Sequence, residues 1–532
     1  MGGVINLITE KEDTNRLKAA VNLDYGTFNT WALNSNLYGR LPKSKKIYYD
    51  FSAMYRKSDG YINWPDSLRD STTIASFLEE YNMGANLLYK FNENHKLRFS
   101  YHYYDDRRGQ GIRIKHPVGN AVDHDTQFLQ LKYSGKRARF VWDIFSYYQY
   151  EHYYRIVEKQ KIKKGQYFYT QYNVNSKRQD MGLAANISYR LKNHLLSFST
   201  TYKKGSVNGA DEYVSSSDIV RNIGQVGDLS YSFFENWNIS KHWSLDFAWY
   251  QSFVSIDDLK FSVENPSNNS DVLLSYQSDT SGIFWSSFSP KASLQYAYKK
   301  ARTYLTFSTG YRVPTLDDLT RTGFIAGAFK LANPDLKPEK IINLEWGMRW
   351  TSKKWKTQLS SYYSVGKDFM YYVNTGEKLW GRKPIKKKQN VTSVNLWGIE
   401  SALQYSIAKN LSVFADYSWH YTEISQFKEI PELEHKKLTY SPEHIADFGF
   451  SFHHQYFDFS PSIRYKSTQY LDDMNEQEIP DLFLLNAKIS HLFDNGFYLS
   501  LSISNLLDER YWVYEDQLSI GRFVMLTIAY RL

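Results

Sequence analysis

The sequence contains no cysteine, which excludes disulfide bonds, thiolate metal sites and cysteine nucleophiles. It also has no run of about 18 apolar residues, so no transmembrane helix is available. No signal peptide is recognisable, because the first nine residues are too few and lack a basic region. The Gly-x-Ser-x-Gly, Gly-x-x-x-x-Gly-Lys-Ser/Thr and His-Glu-x-x-His motifs are all missing. We therefore expect no enzymatic activity.

What the chain does have is alternation with period two. In its last nine residues, Val524, Leu526, Ile528, Tyr530 and Leu532 fall on one face. A strand with one apolar and one mixed face is typical of a transmembrane β-barrel, in which only alternate residues touch lipid. The same pattern recurs at 17–25, 47–55, 243–249 and 497–503. The chain is polar on average because the residues that face the lumen, the turns and the loops are polar.

Aromatic residues make up 17% of the chain, with 45 Tyr and 14 Trp. Such an excess suits the two aromatic girdles of a membrane barrel, where rings with polar tips are favoured. An aromatic-rich β-sandwich or a glycan-binding protein is the alternative. The net charge of +9 is spread over predicted loops without a nucleic-acid motif, so nucleic acid is not an expected partner.

Predicted connections between strands alternate in length. The short ones lie near 42–46, 92–95, 134–137, 191–193, 240–242, 299–301, 351–354, 408–410, 454–457 and 494–496. The long, polar ones are 57–80, 105–126, 152–180, 205–228, 254–288, 314–340, 371–394 and 424–442. We predict an all-β fold, a transmembrane antiparallel β-barrel of about 22 strands with short periplasmic turns and long extracellular loops. A soluble β-propeller is the alternative, but no blade-length repeat is present.

Several short sequence boxes follow one another along the chain. Their positions are Gly2, Gly3 and Asn6 near the start, Asp59–Tyr61, then Tyr311, Arg312 and Pro314, then Asn333, Pro334, Leu336 and Pro338, then Tyr440–His444, and finally Asn505, Leu506, Asp508 and Tyr511. Taken in this order, the boxes resemble the motifs of the TonB-dependent outer-membrane receptors.

The resemblance implies that residues 1–12 are the remnant of the plug-domain C-terminus and that 13–532 are the receptor β-barrel. The TonB box and most of the plug are absent from this sequence, and we expect them, with a signal peptide, in the natural precursor. The chain ends in Leu532, whereas the family usually ends in Phe. Alternation is intact, so assembly in the outer membrane of a Gram-negative bacterium is expected.

By resemblance, the function is TonB-dependent active uptake of a scarce nutrient, with a ferric siderophore as the leading ligand. Cobalamin and haem are the runners-up, and haem is disfavoured because 315–332 contains no His. A passive pore is the alternative of a different class, if the plug is truly absent. Expected partners are outer-membrane lipid, lipopolysaccharide, an iron chelate, the TonB complex through the missing plug, and a surface lipoprotein. No cofactor is implied.

Two segments carry candidate ligand-binding residues. The first is Asp105–Arg113, read as a loop that follows two tyrosines. Its guanidinium groups suit carboxylate and catecholate-like oxygens, and the rings suit flat ligands. The candidates are Tyr103, Tyr104, Arg107, Arg108 and Arg113. The alternative interpretation is that Asp105 and Asp106 simply neutralise Arg107 and Arg108.

The second candidate segment is Trp380–Lys388, in which Trp380 and Arg382 precede a run of lysines. It could steer an anionic ligand, or it is a solvated loop that faces acidic lipopolysaccharide. A third motif, Asp123-His124-Asp125, has cation-binding side chains. Neighbouring strand residues point in opposite directions, so no metal site is predicted there.

Overall fold

A computed structural model describes residues 17–163, 165–325, 328–514 and 516–532. Within these ranges, 22 antiparallel strands form one closed barrel. In chain order the strands β1 to β22 are Lys18–Gly26, Thr30–Arg40, Ile47–Tyr61, Ser76–Asn92, His95–Gly109, Ala121–Arg137, Phe140–Lys163, Gln166–Leu191, His194–Tyr213, Ile219–Asn238, Trp243–Glu264, Ile283–Tyr298, Ala301–Arg312, Glu339–Thr351, Trp355–Leu379, Lys383–Ala408, Leu411–Phe427, His444–His454, Phe457–Lys466, Leu482–Leu492, Phe497–Ser504 and Phe523–Arg531.

The barrel closes because its first and last strands pair. β1 and β22 run antiparallel, with Ala20 opposite Arg531 and Gly26 opposite Met525. Closure removes the free sheet edges that would otherwise leave backbone groups unpaired in a bilayer. The predicted fold class is therefore confirmed. Within the ranges described, no helix is long and apolar enough to cross a membrane.

Side chains alternate between the two faces of the wall as the sequence predicted. Val21, Leu23 and Ile528 are each more than 40% exposed and form part of an apolar outer belt. The inward residues between them are polar and bond across strands. Asn34 Nδ2 donates to Asp24 Oδ2 at 3.3 Å, and Thr527 Oγ1 donates to Asp24 Oδ1 at 2.5 Å. An apolar outer surface and a polar lumen are typical of a membrane barrel.

Aromatic pairs line the end of the barrel at which the short turns lie. Trp355 packs on Tyr405 with 4.1 Å between ring centroids, and Trp243 packs on Tyr296 at 4.7 Å. Each pair lies within a few residues of a two- to four-residue turn. These rings occupy the position expected of an interfacial girdle.

One predicted turn, 134–137, is wrong: β6 continues through Arg137, and the chain reverses after it, where Ala138 has φ 51°.

At the opposite end, the long-loop end, many strands continue far beyond the thickness of a membrane. β7 has 24 residues and β8 has 26, whereas a spanning strand needs about 9–11. The segments 152–180, 205–228 and 371–394, predicted as loops, are therefore mostly strand. Above the membrane both faces of the sheet meet water, so the polar sequence carries no alternation from which a strand could be recognised.

Shorter elements decorate the long-loop end. They are the 3-10 helices Asp66–Leu68, Asp271–Tyr276 and Pro431–Leu433, the helix α1 at Leu316–Thr320, and the short strands Ser278–Thr280, Gly323–Ile325, Ala328–Leu331, Gln469–Tyr470, Glu478–Ile479, Trp512–Tyr514 and Gln517–Leu518. Residues 313–325 and 328–338, hereafter the inner segment, connect β13 to β14. This segment packs against the inner face of the wall.

A register shift in β11 keeps apolar side chains on the inner face of the wall, where the inner segment packs. The pairing of β10 with β11 is displaced next to Asp258, which has φ 52°. Before the shift the even-numbered Val254 and Ile256 are buried on the inner face, and after it the odd-numbered Leu259 is buried there too. Leu319 and Leu336 of the inner segment pack on these residues. One extra residue thus keeps an apolar strip facing the lumen.

Candidate functional site

The two motif boxes that flank the inner segment meet in the structure. Arg312 Nε and Nη2 donate to the two carboxylate oxygens of Glu339 at 2.6 and 2.7 Å. Glu339 Oε1 also accepts the amide N–H of Met370 at 2.8 Å. Asn333 Nδ2 donates to the Lys388 carbonyl at 2.7 Å. The boxes therefore act as a clasp that fixes both ends of the inner segment.

Ion pairs anchor the middle of the inner segment to the wall. Arg321 Nη2 lies 2.9 Å from Asp211 Oδ2 of β9, and Lys388 Nζ of β16 lies 2.8 Å from Asp318 Oδ1. Lys330 also pairs with Asp317. Burial opposes ionisation of Asp318, but Lys388 and the Thr315 hydroxyl outweigh it and lower the pKa of that carboxyl.

Beside this anchor lies a cavity of about 460 Å³ on the lumen side of β7 to β11. Three arginines and two tyrosines of its lining are hereafter called the arginine–tyrosine wall: Tyr153, Arg155, Tyr172, Arg178 and Arg321. The lining also contains Asp180, Asp211, Asp317 and Phe261. The Arg178 guanidinium lies 5.2 Å from the centroid of the Tyr153 ring, within cation–π distance. Arg155 Nε donates to Gln110 Oε1 at 3.0 Å.

The cations of this wall differ in how fully they are neutralised. Arg178 Nη1 contacts Glu151 Oε1 at 2.8 Å, and Arg321 is held by Asp211. Among the residues that the structure describes, no carboxylate lies within ion-pair distance of Arg155. Guanidinium groups beside tyrosine rings suit ligands that combine anionic oxygens with flat rings. Arg155 is the cation most available to such a ligand.

Strand β5 distributes the first set of predicted site residues over both faces of the wall. Tyr104 and Arg108 face the lumen, and Arg108 Nη2 donates to the Tyr104 hydroxyl at 2.8 Å. Both contact Asp106, which is buried and also accepts from His124 Nδ1 at 2.7 Å. The His124 ring lies 5.2 Å from that of Tyr153, so this cluster adjoins the arginine–tyrosine wall.

Tyr103 and Arg107 lie on the outer face of the same strand. Arg107 is held by both oxygens of Asp123, at 2.9 and 2.7 Å. The neutralisation considered from the sequence thus holds for Arg108 and Asp106 but not for Arg107 and Asp105. Residues 105–109 belong to β5 and are not a loop as predicted.

The remaining predicted residues lie in connections at the long-loop end. Arg113 is exposed between β5 and β6, and its amide N–H donates to the Thr72 carbonyl at 2.8 Å. Trp380 and Arg382 form the tip between β15 and β16, where Trp380 stacks on Phe324 with centroids 5.9 Å apart. In the described part of the chain, no hydrogen bond, ion pair or ring contact joins this tip to Tyr103–Arg113. A role for either set in binding remains a prediction.

Sequence reasoning missed the arginine–tyrosine wall because residues 152–180 were read as a loop. The signal was present: Tyr153 and Arg155 stand two residues apart, on one face of an extended strand. Arg321 carried no comparable signal, since its partner Asp211 is 110 residues away in sequence.

The motif before the last strand works as a turn. Asn505 and Asp508 adopt φ 53° and 62°, a left-handed conformation for which Asn and Asp are enriched. Asn505 Nδ2 donates to the Glu509 carbonyl, and its Oδ1 accepts the Glu509 amide. The motif positions Gly2, Gly3 and Asn6, and the predicted domain boundary after residue 12, lie outside the described residues.

The Asp123-His124-Asp125 motif is split by the strand. His124 faces the lumen while Asp123 faces outward, where it holds Arg107. Over the ranges that the structure describes, no group of three or more His, Cys, Asp or Glu side chains could hold a metal ion.

Comparison with known proteins matches residues 103–506 to the model of the TonB dependent receptor-like β-barrel family. The chain belongs to the TonB-dependent receptors. This receptor barrel lies in the outer membrane, so the long-loop end is extracellular and the short turns are periplasmic. The predicted family and location are thereby confirmed.

Solved structures share the fold of the receptor barrel. The ferric yersiniabactin uptake receptor FyuA from Yersinia pestis has a TM-score of 0.78 and 15% identity, over 100% of this chain and 82% of that one. The siderophore receptor PiuA from Acinetobacter baumannii gives 0.76 and 11%, over 97% and 82%. The copper transporter OprC gives 0.77 and 12%, over 99% and 82%.

A curated relative, the iron-regulated outer membrane virulence protein of Vibrio cholerae, is 25% identical over 154 residues. That match covers 27% of the receptor chain and 23% of the relative.

Proposed function

We propose that the receptor imports a ferric siderophore across the outer membrane by TonB-dependent active transport. The observation that carries the proposal is the arginine–tyrosine wall, in which Arg155 has donors to spare beside two tyrosine rings. A ferric siderophore presents anionic oxygens, and many carry flat rings. One solved structure of the same fold is described as a siderophore receptor, and another as a ferric yersiniabactin uptake receptor.

In the proposed mechanism, loops at the extracellular end admit the chelate to the lumen. Arg155 and Arg178 bind its anionic oxygens, while Tyr153 and Tyr172 stack on its flat parts. A plug, encoded ahead of the barrel, closes the lumen and is pulled by the TonB complex. The wall stays rigid because its backbone hydrogen bonds close on themselves. Outer-membrane lipid and lipopolysaccharide surround the barrel, and a surface lipoprotein is a further proposed partner.

The test is uptake of radioactive iron by iron-limited cells that carry the complete natural gene. Cells are offered catecholate, hydroxamate and carboxylate chelates separately, with a TonB deletion strain as the control. We expect at least one chelate to support uptake that disappears without TonB. Uptake of haem, cobalamin or copper in place of every chelate would replace the proposed ligand.

Conductance measurements on the purified receptor distinguish active transport from a passive pore. In planar bilayers the full-length receptor is expected to be nearly silent. Large, steady currents that no ligand alters would instead support the passive pore and contradict the proposal.

A further inference from the structure

The barrel wall splits between β12 and β13. These strands pair only from Lys291 opposite Ser308 down to Tyr298 opposite Ala301 at the periplasmic turn. Both strands continue toward the extracellular end, β12 still paired with β11 and β13 still paired with β14. Residues 283–290 of β12 and 309–312 of β13 therefore border a gap, hereafter the seam.

Local sequence explains where the seam opens. Pro290 is the first unpaired residue of β12, and proline has no N–H with which to bond to a neighbouring strand. The next residue across, Thr309, has a buried hydroxyl oxygen without a hydrogen-bond partner. Along the seam the backbone groups that face the gap therefore lack the cross-strand partners that they would have elsewhere in the wall.

The seam opens at the level of the outer membrane interface. Eight residues of β12, from Tyr298 to Lys291, are paired with β13, and a spanning strand takes about 9–11 residues. Two outward-facing rings border it: Phe284 is 60% and Phe288 is 59% exposed. The Phe288 ring lies beside Trp249 of β11, with 6.3 Å between centroids and 33° between planes. Polar groups and apolar rings therefore meet where lipid headgroups join their chains.

Aromatic rings also cover the seam on the lumen side. Tyr311 stacks on Tyr250 of β11 with 6.3 Å between centroids and 22° between planes. This pair lies at a cavity of about 710 Å³ that is also lined by Phe234 and Lys291. The seam therefore leads into this cavity and does not open freely into the lumen.

We propose that the seam is a binding site for one phosphate-bearing lipid of the outer leaflet. Headgroup oxygens accept hydrogen bonds from the backbone N–H groups that face the gap, and one acyl chain lies along Phe288 and Trp249. An added protein strand fits less well, because it could pair with both borders of the gap only along residues 309–312, and pairing over so few residues is weak.

Lipid photolabelling tests the proposal on the full-length receptor in nanodiscs. The probe is phosphatidylglycerol with a diazirine in one acyl chain, and adducts are mapped by mass spectrometry. We expect adducts to concentrate on residues 283–312. Phe288→Ala should lower that yield about tenfold, the change implied by losing the contact of one aromatic ring with the acyl chain. Phe51→Ala, an equally outward-facing ring on β3, should leave it unchanged.

Native mass spectrometry supplies an independent measurement. One phosphatidylglycerol is expected to remain on the wild-type receptor and on Phe51→Ala, and to be lost from Phe288→Ala, while heat-modifiable gel mobility reports that all three barrels are folded. Labelling spread evenly round the apolar belt, equal lipid retention by all three proteins, or capture of a polypeptide at the seam would overturn the proposal.

Discussion

Arg312 and Glu339 form a two-point ion pair that joins the ends of the inner segment, with both bonds at 2.7 Å or less. The side chain of Glu339 is 5% exposed whereas that of Arg312 is 68% exposed. The carboxylate is therefore the partner that depends on the pair, since water can solvate the guanidinium but not the buried acid.

Removing the arginine should loosen the inner segment. Arg312→Ala leaves Glu339 buried with only the Met370 amide as a donor, at an expected cost of about 1–3 kcal/mol. Trypsin should then cleave after Arg321 or Lys330 faster than in the wild type. Lys340→Ala, the exposed neighbour of Glu339, is the control, and equal cleavage rates in all three proteins would contradict the clasp.

The pair of Arg321 with Asp211 should couple the inner segment to β9. We expect Asp211→Asn and Arg321→Gln each to raise hydrogen exchange in 316–325, and the double variant to add little more. A coupling energy of about 0.5–3 kcal/mol between the two sites is expected for residues in direct contact. Strictly additive effects would mean that the pair does not hold the segment.

Ligand binding should depend on which face of the wall an arginine occupies. Arg155→Gln removes a cation that faces the lumen, and we expect it to weaken binding of the transported chelate about 10- to 100-fold, the loss of a charge-assisted hydrogen bond. Arg107→Gln removes an arginine on the outer face, held by Asp123, and should change affinity little. Isothermal titration of the purified receptors measures both, and a larger loss in Arg107→Gln would refute the assignment.

Acid should release a loop contact held by Asp218. Burial opposes ionisation of this residue, but hydroxyls of Ser216, Ser267 and Ser270 and the Ser267 amide bond to it and lower its pKa to about 2. Because the folded pKa lies below the usual 3.8, the stabilisation is complete above about pH 4 and is lost as pH falls toward 2.

Hydrogen exchange of residues 265–277 at pH 5 and pH 2.5 measures this effect. Protection should fall with pH in the wild type, whereas Asp218→Asn should be weakly protected at both values. Asp271→Asn, which alters an exposed acid of the same loop, should behave as the wild type. An Asp218→Asn variant that keeps the full pH dependence would assign it to another group.

The sequence was sufficient for the barrel but not for the site. Alternation at β1 and β22 predicted membrane strands because lipid on one face and water on the other impose it. Above the membrane that contrast vanishes, so β7 and β8 looked like a loop. Neighbouring Arg107 and Arg108 were taken together, although a strand places them on opposite faces. The Arg321–Asp211 contact depends on how a 26-residue connection folds back, and no local pattern encodes that.

Because the strands differ in length, the rim of the extracellular opening is higher on one side of the barrel than on the other. β7 and β8 rise well beyond the bilayer, while β19 and β21 have 10 and 8 residues and stop near it. A bulky object, such as an antibody fragment or a phage tail, would meet the tall hairpin first and remain at a distance from the lumen. The same object bound to the low rim would cover the entrance, so the side on which it binds decides whether the lumen stays accessible from outside.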